Sequence, residues 1–124
     1  MIDQPVKVLI VDDQDIFANA LQLWLNGRDG FEVVGVARDG SEAIDLAVLL
    51  GPDVVLMDLG LPQMDGLEAT RRLRALKPDA RVIAITGKSE NEDRTAAFEA
   101  GVVDYLVKGG LEDEVQDAIR RALR

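Results

Sequence analysis

Five residues stand where short apolar runs give out, and their types together could move a phosphoryl group. Asp12 and Asp13 follow Val6–Val11, Asp58 follows Val54–Met57, Thr86 follows Val82–Ile85, and Lys108 follows Val102–Val107. Three carboxylates in one crevice repel each other and raise one another's pKa unless a cation neutralises them. A single lysine leaves two negative charges there, which a divalent ion balances. Oxygen ligands favour Mg²⁺, with Mn²⁺ as a substitute. A carboxylate beside such an ion, an ammonium and a hydroxyl can act as a nucleophile and form an acyl phosphate. The surrounding cations offset charge on the phosphoryl oxygens in the transition state. Asp58 is the best nucleophile, because it ends a central strand with the acid pair on one side and Thr86 on the other. Each residue also has a plainer reading. An Asp after a strand often only caps a helix, a Thr caps a turn, and a Lys is a surface amine. The conjunction of all five argues for chemistry.

Those residues need a scaffold that brings five strand ends to one edge, and the hydrophobic pattern supplies it. Apolar runs alternate five times with segments of helical spacing. The first such segment, Ile16–Leu25, has Phe17, Ala20, Leu21 and Trp24 at that spacing, with Trp24 expected in the core. Phe31–Val36 is a second strand, and Glu32 suits an edge position. Ala43, Leu46, Ala47 and Leu50 mark a helix that Gly51-Pro52 ends, because Gly accepts a left-handed cap and Pro cannot continue the turn. Asp65-Gly-Leu-Glu68 resembles a capping box opening a third helix, which stops before Lys77-Pro78. Ser89-Glu-Asn-Glu92 repeats the capping pattern, and Gly101 closes that helix. Leu111, Val115, Ala118 and Ala122 share a face of the last one. Pro62 and Gly66 read as turn residues. The expected class is therefore α/β, a five-stranded parallel sheet with helices on both faces. Strand order 2-1-3-4-5 would make the first and third strands neighbours, so Asp12, Asp13 and Asp58 would converge at the carboxyl edge.

Composition narrows the field. The 124 residues suit one domain, expected to span 1–124. A net charge of −9 argues against direct binding of a phosphate backbone. The absence of Cys and His removes disulfides, thiolate sites and histidine catalysis. Neither a signal pattern nor an apolar run of roughly 20 residues occurs, so a soluble, cytoplasmic protein without membrane contact is expected.

Four fragments are distinctive in combination: Leu-Ile-Val-Asp12-Asp13, Val-Val-Leu-Met-Asp58-Leu-Gly-Leu-Pro62-Gln-Met-Asp65-Gly66, Ile-Thr86-Gly87 and Ala100-Gly101-Val-Val-Asp-Tyr105-Leu-Val-Lys108. Together they resemble the receiver domain of two-component response regulators over nearly the whole chain from Val6. Phe31-Glu-Val-Val-Gly35 and Gly109-Gly110 are most similar to the NarL/FixJ group, whose members usually carry a C-terminal helix-turn-helix. The resemblance implies the flavodoxin-like receiver fold, with Asp58 as phosphoacceptor and Lys108 pairing with a phosphoryl oxygen. It implies Mg²⁺ held by Asp13 directly, by Asp12 often through water, by Asp58 and by the Gly60 carbonyl. Thr86 would swing toward the phosphoryl group and Tyr105 would turn inward behind it. That motion would switch the surface of the fourth helix, fifth strand and fifth helix. Gly60 and Lys88 would flank the attacking water and set the aspartyl-phosphate lifetime. The implied partners are a sensor histidine kinase, a second copy on phosphorylation, and DNA only through an output domain expected to lie outside this chain. Self-phosphorylation and autodephosphorylation, rather than turnover, would be its reactions. One departure is Gly109, where the family commonly has proline, so a looser loop is expected.

Three other functions remain open on the residues alone. A haloacid-dehalogenase-type phosphatase would need a second Asp at the position of Gly60. A flavodoxin-like FMN binder would need phosphate donors where Asp12-Asp13-Gln14-Asp15 stands. An interaction module with a vestigial site would not need all five positions filled.

Overall fold

The computed structural model describes residues 4–87, 91–109 and 112–124, with side chains at all of these except 91–93 and 112. Lys88, Ser89 and its capping pattern, Gly110 and Leu111 lie outside the described residues. The chain runs β1 (Val6–Val11), α1 (Asp15–Asn26), β2 (Phe31–Ala37), α2 (Gly40–Leu50) and β3 (Val54–Asp58). It continues through α3 (Gly66–Leu76), β4 (Arg81–Thr86), α4 (Asn91–Ala100), β5 (Asp104–Val107) and α5 (Glu112–Ala122). The strands form one sheet in the order β2-β1-β3-β4-β5, and every pairing is parallel. This is the order expected from the sequence, and Glu32 sits on the edge strand.

Alternation along each strand divides the core into two layers, because successive side chains point to opposite faces. Leu9, Val11, Val55, Met57, Val82, Ala84 and Tyr105 pack under α2, α3 and α4. Val8, Ile10, Val54, Leu56, Ile83, Ile85 and Leu106 pack under α1 and α5. All five residues of β3 are buried, as a doubly covered central strand requires.

Local signals end the helices where expected. Gly51 takes a left-handed conformation with φ 59° after α2. Asp65 accepts a 2.8 Å hydrogen bond from the Glu68 amide at the start of α3. An analogous cap, Asp39 on the Glu42 amide at 2.8 Å, opens α2.

Four expectations need correction. First, β5 begins at Asp104 rather than Val102. The amides of Gly101 and Val102 both donate to the Ala97 carbonyl, so Val102 belongs to the turn that closes α4 after Ala100 instead of joining the ladder. Second, α1 buries Ala18, Leu21 and Leu25, while Ala20 is exposed. Third, Trp24 is only half-buried and lies 4.5 Å from the Arg28 guanidinium, so it borders the core rather than filling it. Fourth, Gly66 is no turn residue. It is the first residue of α3, and a Cβ there would stand 2.7 Å from the Leu59 Cα and closer still to the Asp58 carbonyl oxygen. The left-handed residue of that loop is instead Gln63, at φ 63°. Gly109 takes φ 107°, a conformation that glycine alone adopts readily and that proline cannot.

Candidate functional site

The parallel sheet places the ends of β1, β3, β4 and β5 along one edge, and a crevice of about 470 Å³ opens there. Asp13, Asp58, Gly60, Thr86 and Lys108 all line it. Carboxylate oxygens of Asp12, Asp13 and Asp58 lie within 4.8 Å of one another. Asp12 and Asp58 are buried and Asp13 is exposed, so the cluster reaches from the end of the core to solvent. Strand order produces this convergence, because β1 and β3 pair directly although 46 residues separate Asp12 from Asp58 in the sequence.

The two buried acids are satisfied in parallel ways. Asp12 accepts from the Gln14 amide at 2.8 Å through one oxygen and meets the Lys108 Nζ at 2.8 Å through the other. Asp58 accepts from the Gly60 amide at 2.9 Å and faces the same Nζ at 3.5 Å. Lys108 is thus shared, but held much more closely to Asp12. Burial pushes the Asp12 carboxyl above the ordinary carboxylate range, and the nearby charge of Asp58 adds to this. Hydrogen bonds from Lys108 and the Gln14 amide oppose it without cancelling it. Ionising Asp12 therefore costs free energy in the bare protein, a cost that a divalent cation beside it would offset. Three oxygen donors in reach of one another, with one ammonium against three carboxylates, fit a hard divalent ion.

Thr86 is buried at the end of β4, and its carbonyl accepts from the Lys108 amide at 2.7 Å. Tyr105 is buried in the layer under α2, α3 and α4, with the Arg94 guanidinium 5.6 Å from its ring. The register pairs Thr86 with Val107 and Ala84 with Tyr105. Thr86 and Tyr105 therefore lie on the same face of adjacent strands, offset by one pleat repeat.

Sequence reasoning missed two contributors. Gly66 lets α3 start directly against the backbone of Asp58. Gln14 occupies the N-cap position of α1, yet its side chain makes no cap bond and instead accepts from Lys108 Nζ at 2.7 Å. The one available signal was its place directly after the acid pair, where a side chain faces the crevice.

The sequence pattern of the response regulator receiver domain matches residues 8–120. The chain belongs to this family. Among relatives of this receiver, response regulator GacA of Pseudomonas aeruginosa is 44% identical over 94% of the chain, which covers 54% of that protein. The transcriptional regulatory protein LiaR of Bacillus subtilis is 39% identical over 94% of the chain and 56% of its own length. The receiver domain thus spans about half the length of the curated relatives it matches. In solved structures it resembles the signal receiver domain of NarL from Mycobacterium tuberculosis, with a TM-score of 0.88 and 28% identity over 95% of this chain and 98% of that one. The NarL-type likeness read from the sequence stands with these neighbours. No helix among the described residues is long and apolar enough to cross a membrane.

Proposed function

We propose that this receiver domain accepts a phosphoryl group on Asp58 and uses it to switch an output. The observation that carries this reading is one ammonium, Lys108, shared by buried carboxylates from two neighbouring strands, with Asp13 at the mouth beside them. An oxygen of Asp58 attacks the donor phosphorus, a bond to the leaving group breaks, and the leaving group keeps the electron pair. An acyl phosphate results. Asp12, Asp13, Asp58 and the Gly60 carbonyl would hold Mg²⁺, or Mn²⁺ in its place. When bound, the ion supplies charge compensation to the phosphoryl oxygens. Lys108 offsets the same charge, and the Thr86 hydroxyl turns toward the new oxygens.

The added charge and acceptor oxygens favour an arrangement in which Thr86 has moved and the Tyr105 ring fills the space behind it. This biases the surface made by α4, β5 and α5. The donor is a sensor histidine kinase or a small phosphodonor, and the setting is the cytoplasm. The output is transcription control through a DNA-binding domain outside residues 1–124, with a second copy of the chain as a partner of the phosphorylated form. Gly60 and Lys88 tune how long the acyl phosphate lasts, so exchanging either changes its decay.

Incubation with acetyl phosphate and Mg²⁺, followed by intact-mass measurement, tests the reading. One added phosphoryl group, absent in Asp58→Asn and without Mg²⁺, is the expected result. No mass gain in the parent protein overturns it in favour of a vestigial site. Tyr105 rotamer populations measured with and without a phosphoryl mimic test the switch, and identical populations would remove it.

A further inference from the structure

Lys108 has a long flexible stem and three rotatable donors, yet its ammonium is only partly exposed and closely surrounded. Asp12 lies at 2.8 Å, Gln14 Oε1 at 2.7 Å and Asp58 at 3.5 Å. The Phe17 ring centroid lies 4.5 Å away and closes a further side. Gln14 and Phe17 both belong to the opening of α1, 94 and 91 positions before Lys108 in the sequence. Two of the three donors therefore have short, fixed partners, and Asp58 has the one loose contact. That is the donor that the incoming phosphoryl oxygens would engage.

We infer that Gln14 is a positioning residue for phosphoryl transfer: with Phe17 it clasps the Lys108 ammonium so that its third, loosely held donor faces the phosphoacceptor. The inference rests on the phosphoacceptor reading of Asp58. Three features make Gln14 suited to the task. Its carboxamide oxygen is a neutral acceptor, so it orients the ammonium without adding a fourth negative charge to a crevice that must admit phosphate. Its backbone amide is itself fixed by the Asp12 carboxylate at 2.8 Å, which ties the clasp to the acid cluster. Its side chain does not cap α1, so the helix does not need it. Transition-state charge is best stabilised by groups already aimed at it, because no reorganisation is then required as the bond forms. Without Gln14 the ammonium would turn toward water or settle on Asp58 itself, and both moves misplace it.

The test uses Gln14→Met, which keeps the side-chain length and removes the strong acceptor. With acetyl phosphate at saturating Mg²⁺, the phosphorylation rate should fall roughly tenfold, while Mg²⁺ affinity and thermal midpoint hold. Phe17→Leu should slow it by a smaller factor. Gln14→Glu restores an acceptor, so its rate should recover at high ionic strength, where the added charge is screened. A purely structural role would not produce that salt-dependent rescue. Independently of any phosphorylation, the Lys108 ammonium resonance in NMR spectra should shift and exchange faster in Gln14→Met. A parent-like rate, or an unchanged ammonium resonance, overturns the clasp and leaves the receiver reading intact. A parent protein that takes up no phosphoryl group overturns the phosphoacceptor reading of Asp58 instead, and the resonance alone then decides the clasp.

Discussion

The two faces of the sheet are filled by different kinds of side chain. Under α2, α3 and α4, seven of the sixteen buried core residues described are alanine; under α1 and α5 it is two of fourteen. The second face relies on Ile10, Leu21, Leu25, Leu56, Ile83, Ile85 and Ile119, nearly all without solvent exposure. Burial and dispersion scale with the carbon packed away, so the branched face is the anchor. On the alanine face the small side chains bring less carbon to each contact, so each contact holds less. Tyr105 belongs to that lighter face, as do α4 and the path from Thr86. A rearrangement there disturbs less packing than the same shift would under α1 and α5. The Thr86-to-Tyr105 step of the proposed switch therefore runs on the alanine side, while α5, the remaining part of its surface, packs on the anchor face.

Truncation on the anchor face should have the largest effect. Ile83→Ala is expected to cost about 2–5 kcal/mol in urea unfolding, with the remaining folded protein still accepting phosphate. The start of α3 comes next. Gly66→Ala would force a methyl against the backbone of Asp58 and Leu59. It should cost about 1–3 kcal/mol and also slow phosphorylation, because the added methyl presses on the backbone of the phosphoacceptor. Normal kinetics in a destabilised Gly66→Ala protein would show that α3 and the site are independent. On the light face, Ala97→Gly should cost only about 0.5–1 kcal/mol while shifting the Tyr105 populations. If Ala97→Gly proved as costly as Ile83→Ala, the contrast between anchor and switch would disappear.

The smallest effect is a change in pH dependence. In the metal-free protein, burial raises the folded-state pKa of Asp12 above its unfolded value. The folded state then binds the proton more tightly, so this group's contribution is fully present below the unfolded pKa. It is lost as pH rises through the raised folded pKa. Asp12→Asn should remove that loss and leave the metal-free protein more stable near neutral pH than the parent. Saturating Mg²⁺ should reverse the ranking. Thermal unfolding across pH, with and without Mg²⁺, measures both, and a parent protein whose metal-free stability rises through this interval contradicts the assignment.

Much of this molecule is legible without coordinates because much of it is local. Alternation in Val8–Val11 and Val82–Ile85 states which side chains share a face, and Gly51-Pro52 or Asp65 with Glu68 state where a helix ends. Each depends only on residues a few positions apart, whose φ, ψ and hydrogen bonds the chain itself specifies. The acids at strand ends could be grouped because a parallel sheet has one carboxyl edge. What the tertiary structure decided is contact across long separations. Lys108 lies 2.8 Å from Asp12 but 3.5 Å from Asp58, Gln14 reaches it across 94 positions, and Gly66 leaves α3 room to start on the Asp58 backbone. Such distances depend on how helices settle on a twisted sheet, a balance of packing over many residues that no short stretch of sequence contains.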